Sequence, residues 1–150
     1  MPDNDICRAM PDGEFKLRTA ALIIRDGKAL FVSHRDFPGY FTIGGKIAYG
    51  EDSHRAVERE ALEETGYSFR AERLAFVQER IFAGHHEVVF FWLMSGPAEK
   101  LKAGAHTEKA EELLHWIDID ELAKYDVNPP FLKDALKSIP DEVKHVVSFD

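Results

Sequence analysis

Between Gly45 and Tyr67 the chain reads GKIAYGEDSHRAVEREALEETGY, and no other stretch restricts the fold so tightly. Asp52 or Ser53 can cap a helix and Gly66 can close it, which predicts a helix over Asp52–Thr65. At about 100° per residue, Glu60, Glu63 and Glu64 fall on one face. Their i, i+3 and i, i+4 spacings make them neighbours that repel. They also occupy the last turns, where the macrodipole disfavours negative charge. Arg59 can pair with Glu63 and relieves only part of this. A helix selected for stability alone would carry lysines there. The cluster makes sense when a hard cation sits on it. Mg²⁺ prefers oxygen ligands, keeps several waters and is shared with substrate phosphates. This face offers no Cys or His, which disfavours zinc. The competing explanation is a solvated acidic face, the usual meaning of a charge run.

The rest of the chain limits the alternatives. A net charge of −8 argues against a globally basic nucleic-acid binder. A chain of that sign needs a cation between itself and a polyanion. Its 150 residues, 45% hydrophobic, suit one folded domain and argue against disorder. Cys7 is the sole cysteine, so no intrachain disulfide can form. No apolar run is long enough for a bilayer span or a signal-peptide core. The expectation is a cytoplasmic protein with no membrane contact, and a homodimer is left open.

Met1 to Glu14, polar and punctuated by Pro and Gly, reads as a loose arm, with one domain over 15–150. Thr19 to Ile24 and Ala29 to Ser33 read as strands joined into a hairpin by Asp26-Gly27. Tyr40 to Ile43 is a short extended piece. Leu74 to Phe82 and Val88 to Met94 are two further strands with a turn at Ala83 to His86. Pro97 to Lys109 is a polar loop, Leu113 to Ile117 a last strand, and Asp118–Lys124 and Pro130–Lys137 short helices. Strands interleaved with a few helices predict an α/β sandwich with a mixed sheet.

The segment from Gly45 to Tyr67 resembles the Nudix box of the MutT-like Nudix hydrolases. That box runs Gly, five residues, Glu, seven residues, Arg-Glu, an aliphatic, any residue, Glu-Glu, any residue, Gly, an aliphatic. Gly45, Glu51, Arg59, Glu60, Glu63, Glu64 and Gly66 fill every fixed position. At ordinary residue frequencies such a match arises by chance about once in 10⁸ to 10⁹ windows. The aliphatic positions hold Ala61 and Tyr67, and Ile43 stands where many members have proline. No subfamily is identified.

The resemblance implies a Nudix-type α/β/α sandwich and a pyrophosphatase that cleaves a phosphoanhydride in a nucleoside diphosphate linked to another moiety. It implies Mg²⁺, with Mn²⁺ as a substitute, on Glu60, Glu63, Glu64 and the carbonyl of Gly44. Gly45, Glu51 and Arg59 would brace the loop against the helix. Water would attack phosphorus, with the cation neutralising the phosphates. The general base would be a helix glutamate or one of Glu108, Glu111 and Glu112, of which Glu112 is the choice. The other functional class open to such a chain is a sensor that binds a nucleotide-like ligand without cleaving it.

Weaker features remain. Arg35, at a strand end beside His34, could reach a substrate phosphate, or be an ordinary exposed arginine. His85-His86-Glu87 looks ligand-like, but a plain hairpin tip explains it more economically. Phe90, Phe91 and Trp92 read as core. Substrate identity among nucleoside triphosphates, ADP-ribose, nucleotide sugars and dinucleoside polyphosphates stays open.

Overall fold

The computed structural model describes residues 4–150. Its elements, in chain order, are β1 (Cys7–Met10), β2 (Gly13–Leu22), β3 (Ile24–Arg25), β4 (Lys28–His34), β5 (Phe37–Phe41), β6 (Ile43–Lys46), α1 (Ser53–Thr65), β7 (Arg70–Phe82), β8 (His85–Ser95), β9 (Glu112–Asp118), β10 (Val127–Asn128), α2 (Leu132–Ala135) and β11 (Lys144–Ser148). The strands form two mixed sheets. One runs β1-β2-β8-β7-β11, with β6 also paired to β2; the other runs β10-β5-β4-β3, with β9 paired to β4. β2 and β8 run parallel, as do β7 and β11, and β5 and β10.

Alternation along β2 builds the sandwich. Ala21 and Ile23 turn to one side, where they meet Leu30, Val32, Ile43, Phe69 and the helix residues Val57 and Ala61. Ala20 and Leu22 turn to the other, against Phe31, Phe76, Phe91, Leu122 of a short 3₁₀ helix (Ile119–Lys124), Leu132 of α2 and Leu136 just after it. A helical layer therefore lies on each side of the sheets. This is the α/β/α arrangement that the resemblance implies. Ala61 is fully buried, so the small residue at the aliphatic position lets α1 press against the sheet. Tyr67, at the other, is 37% exposed and fills no core site.

Two expectations are corrected. Thr19 to Ile24 and Ala29 to Ser33 do not form a simple hairpin. Only Ile24 and Arg25 pair with Ala29 and Lys28, while β2 and β4 lie in different sheets. The chain changes sheet at Ile23, because both faces of this run are apolar and each feeds a different core cluster. The expected loose arm over 1–14 is also not loose where it is described. Cys7 to Met10 pair antiparallel with Gly13 to Lys16. Before them, Ile6 donates to the carbonyl of Ile47 at 2.8 Å, and Tyr49 donates to that of Asn4 at 2.7 Å. Residues 1–3 of that arm lie outside the described residues. Among the described residues no helix is long and apolar enough to cross a membrane.

Candidate active site

Helix α1 starts and stops where its caps demand. The Asp52 carboxylate accepts the Arg55 N–H at 2.8 Å, and Gly66 closes the helix with φ 81°, a conformation that glycine tolerates. Trp92 ties the first turn to the sheet by donating its Nε1–H to Ser53 Oγ at 3.1 Å. The last turns then point Glu60, Glu63 and Glu64 into a cleft of about 580 Å³.

Two glycines make that approach possible. A Cβ on Gly45 would stand 2.5 Å from Glu60 Oε1, so only a bare backbone leaves room for the carboxylate. A Cβ on Gly44 would stand 2.2 Å from the Thr19 carbonyl oxygen in the neighbouring strand. Gly44 donates its N–H to Glu64 Oε2 at 2.9 Å. The loop and the helix are thus joined at the cluster itself.

Arg59 is the second join. Its guanidinium donates twice to Glu51, at 2.8 and 2.9 Å, and also reaches Glu60 at 3.0 Å and the Lys46 carbonyl at 3.3 Å. Glu51 in turn accepts the Ala48 N–H at 3.1 Å. The fork geometry suits bidentate pairing. It holds the Glu51 carboxyl below the usual carboxylate range and raises the Arg59 pKa. Glu51 and Arg59 therefore form a half-buried brace rather than a loose surface pair.

The helix glutamates are less comfortable. Burial pushes Glu64 up to about 9, and Glu60 and Glu112 push the same way. Burial raises Glu60 to about 7, with Arg59 opposing and Glu63 and Asp5 adding to the rise. Both shifts record carboxyls taken out of water first, and crowded by other carboxylates second. The donor set fits a hard divalent cation on that ground, since oxygen ligands of high charge density are what such an ion seeks. Among the described residues no three carboxylates yet converge as a closed cage. Two of them lean on Arg59 and the third on the Gly44 N–H. Mg²⁺ asks for only one or two carboxylates beside water and phosphate, so an open set is compatible with it.

Most of the residues expected from sequence meet in this cleft. Gly44, Gly45, Glu60, Glu63, Glu64 and Glu112 all line it, and Glu108 does too. Glu112 accepts from Thr107 Oγ1 at 2.9 Å. Glu111 is not among the lining residues; its carbonyl accepts the Arg35 N–H. Arg35 is likewise outside the lining set, 71% exposed at its side chain and paired with the adjacent Asp36.

Several lining residues have no counterpart in the sequence expectations. Lys16, Arg18 and Lys46 bring positive charge to the cleft. Lys16 and Arg18 are two apart on β2, so a period-two reading of Gly13 to Leu22 could have placed them together. Asp5, Phe37 and Phe41 also line it, and nothing local in the sequence marks them.

Comparison with known proteins agrees with this geometry. The NUDIX domain model matches residues 15–139. A MutT NUDIX hydrolase from Burkholderia pseudomallei superposes with a TM-score of 0.60 at 27% identity, over 84% of this chain and 98% of that one. The ORF135 protein of E. coli gives 0.62 at 23% identity, over 87% and 94%. An ADP-ribose pyrophosphatase from Streptococcus suis gives 0.58 at 18%, over 87% and 98%, a likeness of fold. No curated protein matches the chain.

Proposed function

The chain belongs to the NUDIX domain family and is a hydrolase of its pyrophosphohydrolase type; on that premise we propose that it cleaves the diphosphate of a nucleoside diphosphate linked to another moiety, with Mg²⁺ as cofactor and a nucleoside monophosphate as one product. The observation that carries this reading is the meeting of Glu60, Glu63, Glu64 and Glu112 with Lys16, Arg18 and Lys46 in one cleft. Carboxylates alone would repel a diphosphate. Lysines alone would bind it without activating water. Together they divide the labour.

Glu60, Glu63 and Glu64, with the Gly44 carbonyl, would hold the cation. When bound, that ion supplies charge neutralisation at the phosphates and acidifies water. Lys16, Arg18 and Lys46 take the phosphate oxygens, Arg18 through a planar donor fork. Arg59 and Glu51 keep the loop and helix in register and touch no substrate. Glu112 lines the same cleft as the helix glutamates, accepts from Thr107, and takes the proton of the attacking water. Arg35 comes into contact with the substrate only if its side chain leaves Asp36.

The domain that does this spans 15–150, with the described part of the N-terminal segment adding a strand and Asp5 to the wall. Mn²⁺ is expected to replace Mg²⁺, since both accept oxygen ligands in octahedral geometry. The substrate is a small molecule. Neither stable nucleic-acid binding nor a membrane partner is expected, the location is cytoplasmic, and a homodimer stays open. The test is a panel of nucleoside triphosphates, ADP-ribose, nucleotide sugars and dinucleoside polyphosphates with Mg²⁺, scored for released monophosphate. Turnover of at least one member is the expected result. No turnover of any member, with a nucleotide still raising the melting temperature, would replace the hydrolase by a sensor.

A further inference from the structure

Glu87 is the one charged residue among the described core, only 2% exposed. Nothing in the proposed reaction uses it. Its charged partner is Arg18 Nη1, at 3.7 Å, too long for a hydrogen bond. Other cations near it are engaged elsewhere. Arg80, directly opposite Glu87 in the β7–β8 register, gives its Nε–H to Asp150 at 2.7 Å. Lys16, opposite in the β2–β8 register, pairs with Glu14 at 3.0 Å. A buried carboxylate so poorly partnered is costly unless something else donates to it.

The surroundings show what could. Glu87 lines a small niche between the two sheets. Arg18, Arg80 and Glu87 form one wall, and Phe41, Thr42 and Asn128 the other. Arg18, Phe41 and Thr42 also line the catalytic cleft, so the two spaces share a border. The niche holds about 50 Å³. A water's share of the liquid is about 30 Å³. That volume takes one polar group and excludes a whole ring. The adjoining cleft, at about 580 Å³, has room for the rest of a nucleotide. Phe41, 36% exposed at the border, offers an aromatic face to a base.

We propose that this niche is the specificity subsite of the enzyme: Glu87 accepts a hydrogen bond from an O–H or N–H donor on the nucleoside half of the substrate, while Arg18 at the border takes a phosphate oxygen. The donor is a ribose hydroxyl or an amino or imino group of the base. Both present the same chemistry to a carboxylate. Asn128 adds an amide that can accept or donate beside it. This subsite rests on the nucleotide reading given above. It also explains the otherwise idle His85-His86-Glu87 stretch: the hairpin brings Glu87, not the histidines, to a working position.

The first test needs no variant. The parental protein is offered a nucleoside monophosphate as a competitor or melting-temperature ligand, beside its 2′-deoxy and 3′-deoxy forms and a form whose base lacks the amino group. One of these analogues is expected to bind roughly tenfold more weakly, because it leaves Glu87 without its donor. Loss with a deoxy form identifies the ribose, and loss with the amino-lacking form identifies the base. Equal binding of all forms would overturn the proposal. Glu87→Gln is the second test. It should shrink that tenfold preference while the variant still melts cooperatively. A retained preference in the folded variant would overturn the proposal too. If it does not fold, the analogue series alone decides. Because binding is read without turnover, the subsite survives if the protein proves a sensor, and fails independently if the enzyme is active but blind to all three changes.

Discussion

The two walls of the cleft are built on opposite principles. The loop and helix from Gly44 to Thr65 are cross-tied by Arg59, Glu51 and the Gly44 N–H, in hydrogen bonds of 2.8 to 3.1 Å. The facing wall, from His34 to Phe41 and from Thr107 to Glu112, is largely exposed, and Phe37 is 61% exposed. A wall that holds charges against their own repulsion must be rigid. A wall that admits different substrates can leave its side chains free. The proposed metal ligands therefore lie in one contiguous segment, while the proposed general base Glu112 and the rest of the cleft lining come from several.

Substitutions in the locked wall should break this contrast first. Glu64→Gln is expected to lower turnover about a hundredfold or more, since it removes an anionic ligand and its charge. The same variant should be about as stable as the parent without metal near neutral pH, because burial already keeps the Glu64 carboxyl protonated, at a pKa of about 9, and a Gln oxygen can still accept the Gly44 N–H. Steady-state rates and metal-free melting check both halves. Arg59→Ala should come next, with a loss of about 10–100-fold and about 2 kcal/mol of stability. Denaturant unfolding beside the rate measurement would separate these. A fall in stability with full activity would show that the brace does not position the glutamates. Gly45→Ala should cost about tenfold in rate with a small stability change, because the new Cβ displaces only the Glu60 carboxylate. Gly44→Ala meets backbone instead, and should cost about 3 kcal/mol.

The smallest expected effect involves pH. Glu60 and Glu64 carry pKa values raised to about 7 and about 9, above the usual carboxylate range that the unfolded chain recovers. Groups raised in this way contribute stability that is complete below the unfolded pKa. It is lost as pH rises through the folded pKa, because the unfolded chain ionises first. The metal-free protein should therefore melt a few degrees lower at pH 9 than at pH 5.5. Glu64→Gln should flatten that slope. A melting temperature that rises over the same window would contradict the assigned burial of these carboxylates.

The contrast also explains what was legible in the sequence. The locked wall is local: a cap, a helical period and two glycines lie within a short stretch, and each leaves a mark that needs no knowledge of the fold. The α/β sandwich with a mixed sheet followed from strands interleaved with a few helices, and its α/β/α order from the resemblance to the Nudix box. The rest of the cleft and the niche beside it are assembled from segments distant in sequence. Arg18 and Glu87 are far apart in sequence and meet only because β2 and β8 run side by side. Asp5 enters the cleft because its neighbours Asn4 and Ile6 pair with the loop at Tyr49 and Ile47, which a polar N-terminal stretch does not announce. The split of β2 and β4 between sheets was hidden for a similar reason. Asp26-Gly27 does make a tight turn, but only two residues on each side obey it.

Glu60, Glu63 and Glu64 are proposed to hold a divalent cation in the cleft. Titrating Mg²⁺ or Mn²⁺ into weakly buffered protein at pH 7.5, in calorimetry and with a proton indicator, tests that assignment directly. Carboxylates protonated in the metal-free state must release protons when the cation binds. Saturable binding with proton release, affinity that rises with pH, and a marked loss of both in Glu64→Gln are the expected results. Equal affinity and equal proton release in the parent and in Glu64→Gln would contradict the assignment.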